Sequence, residues 1–160
     1  MVIVLIIVLG ILFYFIYRYI FRKEKKAEYI WPEEKNQLET DFLDLVENYS
    51  KYRYILVIFD DYYVQYMSLP ESNELYVESI SNENLIENKK IDPLKLNNLL
   101  SLNFIPPKMV HQNGHSALNF SKYYLLKKQS DCLLVFKELE YIMETVYEIK
   151  NKTKINLNFS

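Results

Sequence analysis

Few residues in this chain of 160 could do chemistry, and their spacing gives them little to work with. His111 and His115 stand in a His-Gln-Asn-Gly-His segment. Two imidazoles four apart on a helix, with a glutamate between them, would supply half of a hydrolytic zinc site. Here no glutamate intervenes, and Gly114 with the upstream Pro106-Pro107 pair opposes a helix. No third ligand follows at zinc-site spacing, so two solvated loop histidines and no metal are expected. Cys132, the single cysteine, lies near the start of an expected helix, where the dipole could lower a thiol pKa. A thiolate nucleophile also needs a base, and the histidines are confined to that loop, so a small buried residue is expected. Glu74 and Glu78 share one face of an expected strand, with Glu71 nearby. Paired carboxylates can act as acid and base, but a solvated strand face accounts for them equally well. The expectation is therefore no catalytic residue, no metal and no cofactor. With two glycines in the chain, Gly10 and Gly114, a phosphate-cradling glycine loop is excluded.

The tyrosines point elsewhere. Tyr54, Tyr63, Tyr66, Tyr76, Tyr123 and Tyr124 fall on expected strands. A tyrosine offers a large apolar body and a hydroxyl and loses little entropy on binding, which suits a surface that meets a partner. Aromatic residues are also common in strands for packing alone, so both roles are open. Alternation sets Tyr63 and Gln65 on one face of a strand, and Tyr76 and Glu78 on one face of the next. These four residues are the candidate partner-binding face.

The elements that would position them follow from periodicity. Residues 1–17 carry no charge, and Arg18, Arg22, Lys23, Lys25 and Lys26 come next against Glu24 alone. Residues 1–21 are thus expected to form an uncleaved transmembrane anchor in the lipid bilayer, and residues 22–33 a charged juxtamembrane linker. The positive-inside rule would put residues 34–150 in the cytoplasm as a single-pass membrane protein. Of the 19 basic residues five lie in residues 1–26, and of the 21 acidic residues one does. The acidic remainder argues against a nucleic-acid partner. The lone cysteine permits no intrachain disulfide.

Leu38, Phe42, Leu45 and Tyr49 recur at helical spacing within residues 33–49. Residues 54–59 form a continuous apolar run, expected as a strand buried on both faces. Asp60-Asp61 signals a tight turn, and residues 62–67 and 74–80 alternate as two further strands of an antiparallel meander. Asp92-Pro93 opens a second helix as cap and first residue. Residues 119–126 suggest a fourth strand. Ser130-Asp131 begins the longest helix, whose buried stripe is Val135, Leu139, Ile142, Val146 and Ile149. Residues 151–160 read as a polar tail, although Ile155, Leu157 and Phe159 alternate as an edge strand would. The expected fold class is α+β: an N-terminal transmembrane helix, then a small antiparallel sheet with helices packed on one face.

Several segments together resemble the TY-Chap domain of the type III secretion chaperone-like superfamily of bacterial peptide-binding chaperones. They are Asp61-Tyr-Tyr-Val-Gln65, Glu74-Leu-Tyr-Val-Glu-Ser-Ile-Ser-Asn-Glu-Asn-Leu85, Leu99-Leu-Ser-Leu-Asn-Phe-Ile-Pro-Pro107, Asn119-Phe120 and Val146-Tyr-Glu-Ile149. Asn103 stands where that family usually has glycine, a mild departure because asparagine tolerates the left-handed conformation. The resemblance spans residues 36–149. It implies a secretion chaperone-like fold and a chaperone or adaptor role; together with the expected anchor and the lack of a catalytic constellation, the expectation is a non-enzymatic, membrane-anchored module whose client is a peptide or protein. An immunity-type inhibitor of one partner, neutralising a toxin, is the alternative, and an enzyme has the least support.

Overall fold

The computed structural model describes residues 25–69, 74–110, 114 and 116–160. Its centre is one antiparallel sheet of six strands in the order β1-β6-β2-β3-β4-β5. These are β1 (Lys25–Trp31), β2 (Tyr54–Phe59), β3 (Tyr62–Leu69), β4 (Glu74–Ser79), β5 (Phe120–Leu125) and β6 (Thr153–Phe159). Three α-helices accompany them: α1 (Lys35–Glu47), α2 (Pro93–Ser101) and α3 (Gln129–Tyr141), the last running into a π-helical turn, Ile142–Val146.

Local chemistry explains most of these bounds. Asp60 takes the left-handed conformation at φ 51° and closes the β2–β3 hairpin in two residues. Asp92 caps α2 by accepting from the Leu94 amide at 2.9 Å, with Pro93 in the first turn. Asn103, at φ 64°, ends the turn after α2 and supplies the left-handed residue that glycine more often provides. At the start of α3 the Asp131 carboxylate accepts from the Lys127 and Lys128 amides, and these bonds hold its pKa below the usual carboxylate value.

All three helices lie against one side of the sheet. Phe42 of α1 meets Tyr66 of β3 edge-on at 5.1 Å and Phe136 of α3 at 5.7 Å. Leu96 and Leu99 of α2 join the same core, as do Ile55, Val57 and Phe59 of β2 and Ile155 and Leu157 of β6. The π-helical turn delivers Tyr147 onto Tyr62, ring to ring at 4.7 Å. There its hydroxyl donates to the Ile80 carbonyl at 2.8 Å and lies 2.6 Å from Ser79 Oγ.

Three expectations are corrected. No helix among the described residues is long and apolar enough to cross a membrane. The α-helices have 13, 9 and 13 residues, so each reaches at most about 20 Å against the ~30 Å a bilayer core requires. The π-helical turn lengthens α3, but Asp131, Lys137, Glu138, Glu140 and Glu144 lie along that run. Residues 1–21, where the anchor is expected, lie outside the described residues; the transmembrane fold element and the single-pass, cytoplasm-facing location are therefore withdrawn. Second, β1 occupies part of the expected linker, and residues 153–159 are an interior strand paired with both β1 and β2. Third, β2 is not buried on both faces. Ile55, Val57 and Phe59 are in the core, whereas Tyr54, Leu56 and Ile58 are half-buried on the other side.

Candidate partner-binding face

The side of the sheet away from the helices holds all four sequence-derived candidates. Val64, Tyr66, Leu75, Val77 and Ser79 are buried beneath the helices, and alternation turns Tyr63, Gln65, Tyr76 and Glu78 to the opposite face. The register then assembles cross-strand rows. Tyr54, Met67, Tyr76 and Tyr123 form one, with the Tyr76 and Tyr123 rings 4.9 Å apart. Leu56, Gln65, Glu78 and Ser121 form the next. Ile58 stands opposite Tyr63 in the third. No α-helix among the described residues packs on these rows, and most of their side chains are half-buried.

A polar cluster is set into this surface. Tyr76 donates its hydroxyl to Glu78 Oε1 at 2.7 Å. Asn119 Nδ2 donates to Tyr63 Oη at 3.0 Å and reaches Glu78 Oε2 at 3.4 Å. The Asn119 Oδ1 atom accepts from the Ser81 amide at 3.1 Å and from Asn84 Nδ2 at 2.8 Å. One buried amide thus ties the loop after β4 and the loop before β5 to the sheet face. Burial and the carboxylate beside it push the Tyr76 phenol well above its ordinary pKa. Burial also raises Tyr63, which the Asn119 hydrogen bond partly offsets. Behind the cluster, Asn82 grips Ile91 with both ends of its amide, accepting from the Ile91 N–H at 2.8 Å and donating to its carbonyl at 2.7 Å.

Sequence reading missed Asn119 as the hub, because its partners lie 35 to 56 residues away. It also left open which tyrosines pack and which face outward. Tyr66 and Tyr124 belong to the core, while Tyr54, Tyr63, Tyr76 and Tyr123 lie on the open face. Alternation separates Tyr123 from Tyr124, but which of the two goes inward depends on the pairing of β5 with β4.

His111 and His115 lie outside the described residues. Among the described residues no group of three metal-ligating side chains exists. Cys132 is buried, and burial pushes its thiol above the ordinary pKa, the opposite of an activated nucleophile. It forms part of the floor of a surface cavity of about 310 Å³ between the end of α1 and the start of α3. Two of its polar lining residues, Glu47 and Gln129, are bonded to each other at 2.9 Å.

Both sheet edges are partly closed. On β1, Glu34 satisfies the backbone of Ile30 in both directions, accepting from its N–H through Oε2 at 2.7 Å and donating its own N–H to the carbonyl at 2.8 Å. Lys25, Lys26 and Glu28 line the rest of that strand with charge, a common protection against strand addition. On β5, Ile105 exchanges backbone hydrogen bonds with Ser121 at 2.7 and 3.0 Å. No family model, no curated protein and no solved structure matches this chain.

Proposed function

We propose that this chain is a non-enzymatic peptide- or protein-binding module, of chaperone or adaptor type, that holds its partner against the open face of the sheet. The observation that carries the reading is the row of half-buried aromatic and apolar side chains, Tyr54, Met67, Tyr76 and Tyr123, on a face that no described α-helix covers. Contiguous apolar and aromatic surface of this kind marks interaction sites. Of the two routes by which a sheet takes a peptide, strand addition is hindered by the closures at Ile30 and Ser121, so the face is favoured over the edge. The TY-Chap resemblance points the same way, since Tyr63, Gln65, Glu78, Ser81, Asn82 and Asn119 all belong to the segments that carry it.

The test is capture by the immobilised full chain, followed by titration of each captured partner against the wild type, Tyr63→Ala and Tyr76→Ala. Truncating an anchor costs about 2 kcal/mol or more of binding. Thermal unfolding of the same variants shows whether they remain folded. Folded variants that keep the partner at wild-type affinity would remove the face from the binding reaction. A single tight partner, in place of many weak ones, would turn the reading toward an immunity-type inhibitor.

A further inference from the structure

The charge on the open face is one-sided. Across β2, β3, β4 and β5 it presents Glu74 and Glu78 and no lysine or arginine, because Lys122, the one basic residue of these four strands, points to the helical side. Glu78 receives two neutral donors, Tyr76 and Asn119, and, among the described residues, no cation. In its own row Lys26 stands four strands away, about 19 Å at the usual strand spacing. Lys154, on the same face, is held by Glu28 at 2.8 Å.

The opposite side of the sheet shows what this chemistry is like when complete. There the Lys122 ammonium sits 4.2 Å from the centre of the Tyr124 ring, 5.5 Å from that of Phe104, and 2.5 Å from Glu138. It is a cation seated between aromatic faces and a carboxylate. On the open face, Tyr63, Tyr76 and Tyr123 supply the rings and Glu78 the carboxylate. We propose that this face recognises a partner segment in which a lysine or arginine is set among apolar residues. The cation is received by Glu78 and the neighbouring tyrosine rings, while the apolar flanks cover Met67, Leu56 and Ile58. The attraction combines an ion pair with cation–π contact, both strengthened where the partner excludes water.

This inference rests on the binding reading above, and the experiment separates the two. The immobilised full chain is presented with a phage-displayed library of random dodecapeptides, and enriched peptides are titrated in solution. Enriched sequences should carry one lysine or arginine between apolar residues. Replacing that residue by glutamine in the peptide should weaken binding to the wild type about tenfold. The same replacement should change little against Glu78→Gln, which keeps an acceptor for the Tyr76 hydroxyl and removes the charge. Thermal unfolding of Glu78→Gln, with measurable residual binding of the enriched peptide, establishes that the variant compared is folded, since an unfolded chain would bind neither peptide. Enriched peptides that bind through Tyr76 without a basic residue would overturn the cation seat and leave the binding reading standing. No enrichment over a bare support would overturn both.

Discussion

The Lys122–Glu138 pair allows a prediction whose size follows from its surroundings. Both side chains are almost buried, at 11% and 12% exposure, and 2.5 Å apart. Glu138 also accepts from the Tyr124 hydroxyl, and Lys122 donates to the Leu102 carbonyl at 2.8 Å. Lys122→Met would leave a buried carboxylate with one neutral donor, at a cost of about 3–5 kcal/mol. Glu138→Leu should cost less, about 2–3 kcal/mol, because the ammonium keeps Leu102 and two ring faces worth about 1–2 kcal/mol together. In the double variant no lone charge remains. What is lost is the partner of the Tyr124 hydroxyl and of the Leu102 carbonyl, about 1 kcal/mol each. The double variant should therefore be no less stable than Lys122→Met alone, with a coupling of about 2 kcal/mol or more. Urea unfolding of the four proteins at neutral pH measures this through the midpoint at constant slope. In melting temperature, Lys122→Met corresponds to a fall of roughly 10 °C for a domain of this size. If the double variant loses the sum of the two single losses to within about 0.5 kcal/mol, the two charges are not coupled and the pair does not stabilise the fold as a unit.

Two further outcomes are expected. Burial raises the phenol pKa of Tyr29, Tyr66, Tyr124 and Tyr147 above the unfolded value, so the native state keeps these protons after the unfolded chain has released them. Their contribution is complete below about pH 10 and is lost as pH rises beyond it, so the urea midpoint should hold up to that point and then fall; a midpoint that rose with alkali would contradict the burial. Asn82→Ala removes both hydrogen bonds to Ile91 and should cost about 1–3 kcal/mol, with faster hydrogen exchange at the Ile91 amide; unchanged exchange there would show that the clamp does not hold the loop.

Signals confined to a few neighbouring residues were legible in the sequence. Asp60-Asp61 marks the hairpin because a short acidic residue accepts the left-handed conformation the turn needs. Asp92-Pro93 marks the start of α2 because the cap and the missing amide both belong to a first helical turn. Alternation fixed that Tyr63 and Gln65 share one side of β3, and Tyr76 and Glu78 one side of β4, since the side-chain period of a strand is two. The tertiary structure decided what depends on distant partners. Lys25–Trp31 and Thr153–Phe159 read as linker and tail because each is rich in charged or polar residues, yet they pair with one another across the length of the chain. That pairing makes β6 an interior strand, and no local window contains it. The same holds for the face that the helices cover, which set Leu56 and Ile58 outside the core although their run is apolar throughout. It holds again for Asn119, whose role exists only once β4 and β5 lie side by side and bring Tyr63, Glu78 and Ser81 within reach of one amide.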